Sequence, residues 1–238
     1  GLEMKAFWDI LVAIKFACAE AGIQIVTGDT KVVERGKGDK IFINTTGIGR
    51  MHPKAQIDIS HIKEGDKIIV SDNIATHGIA IMSVREGLEF ETTIESDTRN
   101  LNHAVEGLLD QFGSQIRLLR DPTRGGLGTV LTEIARDTKL GIDIHHSKIP
   151  VDEQVSGACE ILGLDPLYVA NEGVFLAVVD QSVAEEVTSM LQEQEYCSNA
   201  SIIGEVTAQH PRQVVLTSGI GGKRVVNMLV GEQLPRIC

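Results

Sequence analysis

No stretch of this chain approaches the roughly 18 consecutive apolar residues that a membrane span needs, and no basic-then-apolar leader opens it. The expectation is a soluble, cytoplasmic protein without membrane contact. Basic residues are scarce as well: 22 Lys and Arg stand against 33 Asp and Glu, for a net charge of −11. No basic stripe interrupts that acidic excess, which argues against a nucleic-acid partner. Only 4 cysteines occur, Cys18, Cys159, Cys197 and Cys238, without a CxxC pair or a histidine at ligand spacing, so a zinc site or disulfide framework is not expected. Cys18 and Cys159 fall in helical patterns and read as small buried apolar groups. The chain also lacks internal repeats, low-complexity segments and a Walker A ending in Gly-Lys-Ser/Thr.

What the chain does have is a cysteine as its last residue, after Pro235-Arg236-Ile237 and the polar stretch Gly231-Glu232-Gln233. Prenylation is excluded, because that signal places cysteine fourth from the end. An exposed free thiol is a liability that asks for a chemical reason. An arm of about seven residues, at roughly 3.3–3.6 Å per residue, sweeps about 25 Å, which suits a nucleophile carrying a small acyl-type group between sites. A tail cysteine without a role fits equally well when the tail is taken alone.

Met4, Phe7, Trp8, Leu11, Ile14 and Cys18 recur at helical spacing from the start of the chain. Residues 23–27 and 41–46 read as buried strands, but one helix and two strands are too few for a layer. The first half is therefore expected to be completed by another chain or by a preceding segment, the latter preferred. After a linker over residues 50–60, strands at 67–71, 116–119, 142–145, 174–179, 201–206 and 214–217 alternate with helices near 79–84, 101–112, 127–137, 152–162 and 183–194. The fold class is α/β (α+β). The chain divides into residues 1–50, the remainder of an N-terminal domain, residues 51–230, a C-terminal α/β domain, and residues 231–238, a flexible tail.

Three clusters carry polar chemistry at element ends. In the first, Gly28 permits a turn after which Asp29, Thr30 and Lys31 project a carboxylate, a hydroxyl and an ammonium, a set suited to Mg-phosphate. The same residues also make an ordinary turn. In the second, Asp121-Pro122-Thr123-Arg124-Gly125-Gly126 joins a strand to a helix; the glycines allow close backbone approach at a helix N-terminus, where free N–H groups favour anions. A plain helix start, with Asp121 and Thr123 as caps, is the alternative. In the third, Asn171-Glu172-Gly173 puts a carboxylate before an apolar strand, where it serves as a base, as a metal ligand or simply as a solvated turn. Gly219, Gly221 and Gly222 read as a loose turn. His145 and His146 point opposite ways on a strand, which makes a shared metal unsuitable.

Taken in order, IVTGDTKVVERG, FINTTGIG, THGIAIMSVREGL, DPTRGGLGTVLTEIA and NEG, with a terminal PRIC, resemble the HypE family of hydrogenase maturation factors. That family sits in the aminoimidazole ribonucleotide synthetase-like (PurM-like) superfamily, with selenophosphate synthetase and thiamine-monophosphate kinase. The resemblance implies a two-half α/β fold, a homodimer with ATP bound in a cleft at its interface, and a further segment ahead of Gly1 that contributes to Mg-ATP contact. It implies an ATP-dependent dehydratase acting on its own C-terminus: HypF places a carbamoyl group on the terminal thiol, the group becomes a thiocyanate, and cyanide passes to iron on a HypC–HypD scaffold. By that likeness Cys238 is the carrier and Lys31 and Glu172 orient the carboxamide and handle its protons. Asp29, Thr30, Asp121, Thr123, Gly125 and Gly126 contact the nucleotide, with Asp29 and Asp121 at Mg²⁺. One departure lies at Asp72–Thr76, where many relatives carry Gly-Thr-Ile-Gly-Asp; Thr76 offers no carboxylate to a metal. The competing readings are a group-carrying adaptor without dehydratase activity and a small-molecule kinase of the same superfamily.

Overall fold

The computed structural model describes residues 1–87 and 94–229. The chain divides into two compact units, Gly1–Met51 and His52–Cys238.

In the first unit the helical repeat forms α1 (Met4–Ala21), which stops at Gly22. There φ is 67°, and the N–H groups of Gly22 and Ile23 turn back onto the carbonyls of Ala19 and Cys18. No residue of α1 is buried, and Cys18 is only partly covered, contrary to the expectation of a buried thiol. The reason is that no second helix or strand follows within this unit to face the apolar stripe. The strands expected at residues 23–27 and 41–46 are likewise absent. A strand exists by exchanging N–H and C=O groups with a neighbour, and neither segment has a ladder partner among the described residues. Their side chains stand open, with Val26 87% and Phe42 83% exposed.

The second unit is built on a seven-stranded sheet among its described residues. In chain order its strands and helices are β1 (Lys67–Val70), α2 (Thr76–Glu86), α3 (Asn102–Phe112), β2 (Ile116–Arg120), α4 (Gly126–Thr138), β3 (Gly141–His145), α5 (Glu153–Leu162), β4 (Leu176–Val179), α6 (Ala184–Gln192), β5 (Ser201–Thr207), β6 (Val214–Thr217) and β7 (Lys223–Val226). The strand order is β2-β4-β1-β5-β3-β6-β7; only β3 and β6 run parallel. Alternation along β1 sends Ile68 and Val70 into a core with Leu127, Leu131 and Ile134 of α4, and Ile69 into a second core with Leu108 of α3 and Val187 of α6. β4 lies between β2 and β1 with all four residues buried, which accounts for its unbroken apolar run. β7 was not expected. Residues 219–222 close a hairpin rather than a loose turn, and the strand beyond them is short, with Lys223 and Arg224 exposed, as edge strands often are. His146 leaves β3 and begins a 3₁₀ turn.

The register fixes where the polar clusters sit. Val70 pairs with Leu176, and Leu176 with Arg120, so the C-terminal ends of β1 and β2 and the start of β4 meet at one end of the sheet. The loops Asp72–Ala75, Asp121–Gly125 and Asn171–Phe175 all leave from that end.

Candidate active site

Asn171 ties these loops together. It is 1% exposed, its Oδ1 accepts the Ala75 N–H at 2.7 Å, and its Nδ2 donates to the carbonyls of Pro122 at 2.9 Å and Val169 at 3.1 Å. One amide thus joins the turn into α2, the turn into α4 and its own loop, with each buried polar group satisfied. Ala75 holds φ at 73°, a left-handed conformation that costs a non-glycine residue, and the hydrogen bond its N–H donates to Asn171 helps to pin it there. At Gly126, where φ is 63°, an added Cβ would stand 2.5 Å from the Leu167 carbonyl oxygen. At Gly126 the close approach is to the chain's own residues 167–169, whereas the expectation for the paired glycines was approach to a ligand.

Neither Asp121 nor Thr123 caps α4. The Thr123 hydroxyl donates to Asp121 Oδ2 at 2.9 Å, and no side chain caps the helix at Gly125. Nor does a side chain cap α2 at Ala75. Two helix N-termini without side-chain caps, linked through Asn171, give this end of the sheet a positive partial charge suited to an anion. Asp121 is exposed and Glu172 partly exposed, so both carboxylates are accessible.

A charged network adjoins them. Arg99 Nη1 donates to Asp72 Oδ2 at 2.7 Å and to the Tyr196 carbonyl at 2.9 Å, and its guanidinium lies 5.7 Å from the Tyr196 ring centre. Asn199 occupies the other Asp72 oxygen at 2.8 Å, so this buried charge is fully bonded. A cleft of about 250 Å³ opens beside it, lined by Asp72, Asn73, Thr76, Glu95, Arg99 and Asp152 among others; Asp121 and Glu172 are not in its lining.

The segment after this cleft was not singled out from the sequence. Asp97, 4% exposed, accepts the Glu172 N–H at Oδ1 (3.1 Å). Ser96-Asp97-Thr98-Arg99 has the composition of a solvated turn, and nothing in its pattern announces burial.

Two family models match the chain: AIR synthase related protein, N-terminal domain, over residues 2–51, and its C-terminal domain over residues 63–216. The carbamoyl dehydratase HypE of Azotobacter vinelandii is 47% identical over the whole of this chain, which spans 70% of that protein. The chain belongs to the HypE family. A crystal structure of hydrogenase maturation protein HypE in complex with ATP matches with a TM-score of 0.94 at 42% identity, over 100% of this chain and 72% of that one. A HypE–HypF complex contains a chain matching with a TM-score of 0.92 at 42% identity, over 96% of this chain and 74% of that one. The fold is accordingly the mixed α/β, PurM-like fold of HypE.

Within this HypE-family chain, Asp121, Thr123, Gly125, Gly126 and Glu172 are gathered at one end of the sheet of the second unit. Asp29, Thr30 and Lys31 lie in the first unit, all exposed, with the Thr30 N–H bonded to Asp29 Oδ1 at 2.8 Å. Cys238 lies outside the described residues.

Proposed function

We propose that this chain serves NiFe-hydrogenase maturation by converting a carbamoyl group on its own Cys238 thiol to a thiocyanate, in an ATP-dependent dehydration. The thiocarboxamide –S–C(=O)–NH₂ and ATP give –S–C≡N, ADP and phosphate; the amide oxygen leaves with the transferred phosphoryl group and both nitrogen protons are removed. Bound ATP supplies the phosphoryl group that makes this poor leaving group a good one. The observation that carries the reading is the likeness along the entire chain to a protein named carbamoyl dehydratase HypE.

In this reading Asp121, Thr123 and the N-terminus of α4, with Asp29 and Thr30, hold the phosphates, and Asp29 and Asp121 hold Mg²⁺. Among the described residues no three His, Cys, Asp or Glu side chains cluster as a metal cage. Single accessible carboxylates fit Mg²⁺ that arrives with a nucleotide, since phosphates and water complete its shell. Gly125 and Gly126 keep the backbone of the loop close and free of side chains. Lys31 orients the carboxamide, and Glu172 takes its protons. The carbamoyl donor is HypF, a partner supported by the solved HypE–HypF complex, and the recipient is a HypC–HypD iron scaffold in the cytoplasm. The chain acts as a homodimer, with residues 1–50 belonging to the ATP-binding, dimer-forming domain, residues 51–230 forming the C-terminal domain and residues 231–238 the tail that delivers the thiol.

The test is single-turnover dehydration of the carbamoylated full-length protein at saturating ATP. Lys31→Ala and Glu172→Ala retain nucleotide binding and lose about 10²- to 10⁴-fold in rate, the usual size of an acid–base contribution. Near-normal rates in both variants would remove these residues from the mechanism.

A further inference from the structure

Glu172 stands on a loop that another segment grips at the backbone. The Glu172 N–H bonds to Asp97 Oδ1 at 3.1 Å, and the Gly173 backbone lies against the same residue. At Gly173 an added Cβ would lie 1.6 Å from the Asp97 carbonyl oxygen, so the two stretches touch with no room for a side chain between them. The Asp97 carbonyl is itself held by Arg99 Nε at 2.8 Å, and Arg99 is fixed by Asp72 at 2.7 Å. A continuous chain of bonds thus runs from the loop after β1, through Arg99 and Asp97, to the backbone of Glu172.

The carboxylate is more than the grip needs. Asp97 Oδ2 is buried without a hydrogen-bond partner among the described residues, and so is His77 Nε2, on a ring whose Nδ1 meets Ser96 Oγ at 2.8 Å. A buried, half-satisfied charge weakens a fold, and such costs are characteristically retained where a site is being shaped.

We propose that Asp97 is a positioning residue for Glu172, its carboxylate fixing the backbone at residue 172 and thereby where the Glu172 side chain stands. The inference rests on the proposed role of Glu172. Burial pushes the Asp97 carboxyl above the ordinary carboxylate range, against the opposing pull of the Glu172 N–H, His77, Arg99 and the Gly173 N–H. An acid raised in the folded state binds its proton more readily there than when unfolded, so it weakens the fold as pH rises through that range. Asp97→Asn removes this penalty while keeping an oxygen for the Glu172 N–H.

The experiment is a double-mutant cycle in the full-length protein, read by single-turnover dehydration of the carbamoylated tail at saturating ATP and by thermal melting at pH 7. Asp97→Ala is expected to slow turnover about 10- to 100-fold, the scale of a misplaced reacting group, with nucleotide affinity unchanged. In a Glu172→Ala background it costs nothing further. Asp97→Asn keeps more of the rate and melts no lower than the parent. If Asp97→Ala fails to fold, Asp97→Leu, of similar volume and unable to accept from an N–H, takes its place in the cycle. A parental rate in the variant that removes the accepting oxygen, or an equal loss with and without Glu172, would overturn the positioning role. A parental rate in Glu172→Ala alone would instead remove the functional reading beneath it.

Discussion

At the scale of single residues, the three cysteines among the described residues separate by surroundings. Cys159 and Cys197 are 1% and 0% exposed. Burial pushes each thiol up to about 11, with Asp165 adding to the effect at Cys159 and Asp72 at Cys197. At pH 8 about one such thiol in a thousand is ionised, and the thiolate is the reacting species. The native protein should therefore react quickly with a disulfide reagent at Cys18, and at Cys238 by its proposed role as carrier, and release Cys159 and Cys197 only on unfolding. Cys238→Ala should remove one fast thiol and abolish acceptance of the carbamoyl group without lowering the melting temperature. Rapid labelling of Cys159 or Cys197 in the folded protein would contradict this assignment. The burial of Cys159 was legible from its helical spacing; the partial exposure of Cys18 was not, because periodicity gives the direction of a stripe but not whether another element covers it.

Among elements, the tightest junction is the Asn171 amide between the turns into α2 and α4. Asn171→Ala strands the Ala75 N–H and the Pro122 carbonyl in a buried site, each worth about 1–3 kcal/mol when left unsatisfied, and should lower unfolding free energy by about 2–4 kcal/mol in a denaturant titration. A loss below about 0.5 kcal/mol would mean that other contacts hold the three loops. The sequence pointed to this place through Asn171-Glu172-Gly173 but assigned its chemistry to Glu172 alone. Most helices and strands of the second unit were readable, since Leu108, Leu109 and Phe112 keep helical spacing and 174–179 is uniformly apolar. Pairing was not readable. Residues 23–27 look like a strand and have no partner among the described residues, while Lys223–Val226 looks too short and charged and gains one in β6. Asp97 escaped notice for the same reason: its burial is produced by the loop that crosses it, not by its neighbours in sequence.

For the whole molecule, the first unit leaves Val26, Val32, Phe42 and Ile48 between 83% and 98% exposed. Apolar surface of that kind is what a preceding segment or another chain would cover, and we propose that in the full-length protein a second copy, with its own first unit, covers part of it. Sedimentation of the full-length protein at micromolar concentration should give a dimer, and a strict monomer would count against this assembly. Dehydration of a thiocarboxamide on Cys238 is read directly in the mass of the peptide that carries it. After carbamoylation and one turnover with ATP, that peptide should lose one water, in step with the ADP formed. A carbamoyl mass that persists while ATP is consumed, or that transfers intact to a partner, would contradict it.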